Sequence, residues 1–160
     1  MKPRAPNVLL VFPRFNPHSF WSLRGVLDVV GVRCPTPPLG LITLAALLPQ
    51  TWNFRLIDRN AEELTGNDLD WADMVMTGGM LPQQPDTLDL IELCRARSIP
   101  VAVGGPDVTS SPHVYARANF RVLGEVEPVV TQLVDVLTSG VPSALIEACL
   151  LYTSPSPRDS

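Results

Sequence analysis

The chain has 160 residues, of which 46% are hydrophobic and 18% charged, with a formal net charge of -4. That length fits one domain with a real buried core, and the acidic balance gives no support to binding of nucleic acid or of an anionic membrane surface. The apolar runs are broken by Pro37, Pro38 and Pro49, so none is long enough to span a bilayer.

The amino-terminal stretch MKPRAPNVLLVF carries basic residues before an apolar run. The run is too short for a secretory leader and meets Pro13 without a small-residue cleavage site, so the cytoplasm is the expected compartment. Cys34, Cys94 and Cys149 are odd in number and widely spaced, which indicates neither a disulfide framework nor a metal knuckle. Cys94 falls on the apolar face of its predicted helix and reads as core.

In chain order, Asn7 to Phe12 (NVLLVF) is a continuous apolar run of the kind found in strands buried on both faces. A long loop, Pro13 to Ser22, follows with Arg14, Phe15, His18, Phe20 and Trp21, and then a short predicted helix from Leu23 to Val30. Thr36 before Pro37 and Pro38 marks a helix start, and Leu41, Leu44, Ala45 and Leu48 share one face until Pro49 ends it. Phe54 to Ile57 is the second predicted strand, leading to Asp58 and Asn60. Ala72 to Thr77 is the third, running into Gly78 and Gly79. A helix-like stretch, Asp86 to Arg97, separates it from the fourth, Val101 to Val103, which runs into Gly104 and Gly105. Phe120 to Leu123 is a short fifth strand. Val130, Leu133, Val134 and Leu137 then form a helical stripe closed by Gly140. Five strands alternating with helices imply an α/β fold, a doubly wound and mostly parallel five-stranded sheet of Rossmann-like or flavodoxin-like type.

In such sheets ligands sit outside the carboxyl ends of the strands, where the two glycine pairs present bare backbone. Glycine also supplies positive φ in an ordinary strand-to-helix turn, and both explanations stand at this stage. A dinucleotide site needs GxGxxG straight after the first strand, but PRFNPHS stands there and no glycine appears until Gly25. A phosphate-accepting receiver domain needs acidic residues after that strand and a lysine after the fifth; Phe12 and Pro13 occupy the first place, and Lys2 is the only lysine. Neither a GxSxG elbow nor a GxxxxGK[ST] phosphate loop is present.

The segment ADMVMTGGMLPQQPDTLDLIELCRARSIPVAVGGPDVTSSP is similar to the second half of cobalamin-binding domains, whose third strand ends in a small-residue turn and whose fourth ends in a diglycine. The ordered set FWS, PPLGLITLAALLP, FRLIDRNAEELT, DLDWADMV, VAVGGP and VLGEVE resembles the N-terminal domain of cobalamin-dependent radical SAM proteins, especially the group associated with hopanoid biosynthesis. The likeness covers roughly Asn7 to Gly140. It implies a corrin disc capping the carboxyl edge with its nucleotide tail entering beside the strands. Thr77, Gly78, Gly79 and Met80 would then touch the tail or the corrin edge, and Gly104, Gly105 and Pro106 the tail. Gly124, Glu125 and Glu127 resemble the family's GExE pattern, with helix capping as the alternative role. Asp58 and Asn60 would bond the corrin amides or else cap their loop. Phe15, Phe20 and Trp21 would pack over the corrin, against a following domain, or in a small hydrophobic cluster.

The DxHxxG pattern of domains that ligate cobalt through histidine is missing, since the loop after the first strand lacks both the aspartate and the final glycine. His18 is therefore expected not to ligate cobalt, and His113 carries no signal. Radical SAM chemistry needs a CxxxCxxC loop for its iron-sulfur cluster, which Cys34, Cys94 and Cys149 do not supply. In the family that loop lies in a downstream domain. The iron-sulfur cluster and S-adenosylmethionine would belong there, and this chain alone would be inactive.

Cys149 to Asp159 (CLLYTSPSPRD) resembles one reading frame of a transposase adapter used in sequencing libraries, with a natural disordered tail as the alternative. The expected division is a cobalamin-binding domain over 1–148 and a non-native tail over 149–160, making the chain an N-terminal fragment of a longer enzyme, a methyltransferase or a related radical enzyme. The competing expectation is a flavodoxin-like domain for another nucleotide or sugar nucleotide, or an interaction module without catalysis.

Overall fold

The computed structural model describes residues 4–20 and 37–148. The predicted helix Leu23–Val30, Trp21, Thr36, Cys34 and the tail 149–160 lie outside them. Six strands, β1 (Asn7–Phe12), β2 (Asn53–Asp58), β3 (Met74–Gly78), β4 (Val101–Gly104), β5 (Phe120–Leu123) and β6 (Ala144–Glu147), form one sheet in the order β2-β1-β3-β4-β5-β6. Every pairing is parallel. The α/β class and doubly wound order match the sequence expectation, while β6 is an addition to it.

Among the described residues, five α-helices cover the sheet: α1 (Leu39–Leu47), α2 (Gly66–Trp71), α3 (Gln84–Ala96), α4 (Pro106–Ser110) and α5 (Val130–Thr138). Alternation along the strands divides the core. Leu9, Val11, Val75, Val101 and Val103 face one way and pack with Leu69 of α2, Leu90, Ile91 and Cys94 of α3 and Val108 of α4. Val8, Leu10, Met76 and Ala102 face the other way, against Leu41 and Leu48 and the inward side of α5. Cys94 is fully buried, and desolvation pushes its thiol up to about 11.

The chain turns one way from β1 to β2 and the other way from β3 onward, so β1 and β3 flank the point where strand order reverses. The connections through α2, α3 and α4 all cross the first face. The last, through α5, crosses the second face while stepping in the same direction, which gives it the opposite hand. The strand it reaches is short and buries only Ile146.

Local chemistry explains most element ends. Thr65 caps α2 by accepting the Asp68 N–H while Asp68 accepts the Thr65 N–H in return. The Thr65 hydroxyl also donates to the Asp68 carboxylate, and this bond, against the opposing effect of burial, holds the Asp68 carboxyl below its usual range. Strand β3 begins at Met74 rather than Ala72 because Ala72 closes α2 and the Asp73 carboxylate accepts the Asn7 N–H at 2.8 Å. Gly140, at φ +75°, ends the α5 turn as its position predicts.

Candidate functional site

A cavity of about 690 Å³ opens at the carboxyl edge and runs down the face that carries α1 and α5. Its floor is apolar, built from Met76, Ala102, Val122 and Leu133, with Leu41 and Leu44 of α1 on one side. Its size is that of an ordinary small-molecule site. The two glycine pairs meet here. Thr77 to Met80 line it from the end of β3, Gly104 to Pro106 from the end of β4, and Gly124 and Glu125 from the loop after β5. The switch point at β1 and β3 places the opening where an open parallel sheet puts its ligands.

The glycines do not all serve the same purpose. Gly78 lies opposite Gly104 in the parallel register, and a Cβ on Gly78 would come within 2.9 Å of the Gly104 carbonyl carbon. A Cβ on Gly79 would meet Cδ of Gln83 at 3.0 Å. Gly105 adopts φ +100° and packs on Gly79, so a Cβ there would meet backbone at 3.2 Å as well as straining the chain. Close packing of the two loops thus accounts for Gly78, Gly79 and Gly105. Gly104 is different, since its Cβ would find only Val122, at an ordinary 3.6 Å.

Buried hydrogen bonds hold these loops. Thr77, 3% exposed, donates its hydroxyl to the Val11 carbonyl at 2.8 Å, so its side chain faces β1 rather than a ligand. The Gln83 amide donates to the Pro13 carbonyl at 2.7 Å and accepts the Met80 N–H at 3.1 Å, joining the β1 and β3 loops. Thr109 donates to the Gly105 carbonyl and accepts the Gly124 N–H, each at 2.9 Å, joining the β4 and β5 loops. Behind them, the buried Asp107 carboxylate accepts from Tyr115 and, at 2.8 Å, from Gln84. Burial first, then the Asp107 contact, raise the Tyr115 hydroxyl well above the phenol range.

Asp58 and Asn60 lie at the same edge but do not line the cavity. The Asp58 carboxylate accepts the Asn60 N–H at 2.9 Å and its amide at 2.8 Å. Asn60 also accepts the Phe15 N–H at 2.9 Å and donates to the Pro13 carbonyl at 3.1 Å. These side chains fasten the loop after β1. Asp86 of α3 fastens it further, accepting the Arg14 N–H at 2.7 Å and pairing with Arg59 at 3.1 Å. The buried Phe15 sits edge-on to Phe12, which lines the cavity, whereas Phe20 is exposed. His18 and His113 are exposed, and neither lines the cavity.

Sequence reasoning did not find the wall formed by α1, where Pro37, Pro38, Leu39 and Gly40 reach the opening. The motif PPLG at a helix start was the available signal. It also missed Gln83 and Thr109, for which no local pattern existed. Glu125 is the one ionisable side chain among the described lining residues, and none of them is Lys, Arg or His. Among the described residues no group of three His, Cys, Asp or Glu side chains comes together to hold a metal. No described helix is long and apolar enough to cross a membrane.

Comparison with known proteins places this geometry in context. The chain is 41% identical over 157 residues to an uncharacterized methyltransferase from Synechocystis, a match covering 95% of this chain and 29% of that protein. It is 34% identical over 136 residues to the hopanoid C-2 methylase of Rhodopseudomonas palustris, covering 84% of this chain and 26% of the methylase. Both are named for methyl transfer. The chain therefore spans less than a third of the length of either relative. No protein-family model matches it, and no solved structure matches it.

Proposed function

We propose that this chain is the corrinoid-binding portion of a larger methyltransferase, with cobalamin as its cofactor. The observation that carries the proposal is the cavity itself, whose rim is bare glycine backbone and whose floor runs beside the strands between the sheet, α1 and α5. That shape suits a ligand with a broad head and a narrow tail, the tail entering the cavity and the head remaining at the carboxyl edge. The donor set fits as well. Corrin amide side chains are neutral donors and acceptors, which pair with backbone N–H and C=O groups rather than with charged side chains. A sugar nucleotide presents a diphosphate with about two negative charges, against the single phosphodiester of the cobalamin tail, and the described lining offers no cationic side chain to offset them.

The resemblance in the ordered motifs and the names of the two relatives point the same way. In this reading Gly104 leaves room for the tail, the backbone of Gly78, Gly79 and Gly105 lies beside it, Met80, Pro106 and Gly124 border it, and Glu125 accepts a hydrogen bond at the opening. Bound cobalamin would supply a cobalt centre able to carry a methyl group. This chain's residues bind it, orient it and keep water from its buried part. The iron-sulfur cluster and S-adenosylmethionine are assigned to a downstream radical SAM domain of the parent enzyme, which is the expected partner.

Purification of the chain with hydroxocobalamin, followed by gel filtration, tests the proposal. A red complex of one corrinoid per chain is expected, and its absorption spectrum should be the same in His18→Ala, because His18 does not line the site. Failure to retain corrinoid under gentle conditions counts against the reading. A spectrum altered by His18→Ala would show that histidine reaches cobalt.

A further inference from the structure

Among the described residues, two glycines of the cavity wall meet no neighbour that would exclude a side chain, Gly104 at the end of β4 and Gly40 in the first turn of α1. Gly40 is the clearer case. Apart from its chain neighbours and the backbone of its own helix, no described protein atom lies within 4 Å of the point where its Cβ would stand, and its backbone is not in the left-handed region that favours glycine. Glycine within a helix is the least favourable choice after proline, so local structure argues against it here. The other helical glycine, Gly66 in the first turn of α2, also has room for a Cβ, at 3.6 Å from the Arg97 guanidinium, but it does not line the cavity. What sets Gly40 apart is the space it faces.

We infer that Gly40 is a ligand-contact position, kept bare so that the bound corrinoid lies directly against the backbone of α1. The inference rests on the cobalamin reading and adds to it a wall that the glycine pairs of β3 and β4 do not supply. Gly40 fixes how closely the ligand approaches α1, while Gly104 leaves room from the sheet side. A side chain at position 40 would project into the volume the ligand needs and would leave the packing of the described residues untouched. The effects on folding and on binding should therefore have opposite signs, which distinguishes a ligand-contact glycine from a structural one.

The test compares the wild-type chain with Gly40→Ala, Gly40→Leu and the control Gly66→Ala, measuring thermal midpoint without ligand and hydroxocobalamin affinity by absorbance titration. Gly40→Ala and Gly40→Leu are expected to keep or raise the midpoint. Affinity should fall in both, by about tenfold or more for leucine, whose bulk fills the contact. Gly66→Ala should bind as the wild type does. Wild-type affinity in Gly40→Leu would overturn the inference while leaving the cobalamin reading intact. A lowered midpoint in both Gly40 variants would also overturn it, by showing that the fold requires the glycine. A wild-type chain that binds no hydroxocobalamin would overturn both.

Discussion

Replacing Gly78 by alanine should destabilise the fold sharply, and replacing Gly104 should not, although the two residues face each other across the same ladder. At Gly78 the new methyl would press on the carbonyl of Gly104, with the carbonyl carbon only 2.9 Å away. Both sides of that contact are backbone, so no rotamer change relieves it and β3 must move away from β4. Overpacking of this kind costs about 1–3 kcal/mol. At Gly104 the methyl meets Val122 at 3.6 Å, an ordinary contact, and loss of glycine freedom in the unfolded chain contributes about 0.4–1 kcal/mol in favour of the variant. Urea unfolding followed by circular dichroism measures the contrast. With a slope near 2 kcal/mol per molar, a loss of about 2 kcal/mol moves the midpoint down by about 1 M. Midpoints for Gly78→Ala and Gly104→Ala that agree within about 0.3 M would refute the reasoning, because the two glycines would then be equivalent to the fold.

Two further outcomes follow from the same structure. Asn60→Ala removes the side chain that ties Pro13, Phe15 and Asp58 together, and a stability loss of about 1–3 kcal/mol is expected in thermal or urea unfolding; no loss would mean that these bonds do not hold the β1 loop. The Cys94 thiol, raised by burial from 9.0 to about 11, stays protonated in the folded chain over a range where the unfolded chain ionises. Its contribution to stability is therefore full below pH 9 and falls as pH rises toward about 11, with a slope of up to about 1.4 kcal/mol per pH unit. Urea midpoints measured across that window should decline more steeply for the wild type than for Cys94→Ala, and parallel declines would refute the assignment.

Strands β1, β3 and β4 were legible because each is a short apolar run closed by proline or glycine, a local pattern that burial on two faces requires, whereas β2 and β5 interrupt theirs with Arg55 and Arg121 and are only partly buried. Helix α3 was legible for the same kind of reason, through the stripe that buries Leu90, Ile91 and Cys94. Helices α2 and α4 were not, since six and five residues are too few to show a period. Strand β6 offers four residues with one buried side chain, and its crossover has the less common hand. The glycine pairs mark the edge of the sheet where the cavity opens, yet their spacing alone does not reveal that Gly78 is excluded from carrying a side chain by Gly104 itself. Asp58 and Asn60 were placed at that edge as well. What turns them away from the cavity is the return of the Pro13–Phe15 loop, a contact between residues 45 or more positions apart.

The order of the strands also bears on how the molecule is made. Once β3 has joined β1, each later strand adds to the edge left by the one before it, so the sheet extends in the direction of synthesis. Nothing already paired has to open for the next strand to enter, which limits the time that an unpaired edge is exposed on a growing chain. The glycine-lined opening is complete only when the β5 loop closes with Gly124 over Thr109. A nascent chain would thus complete this opening late, after the scaffold beneath it has already formed.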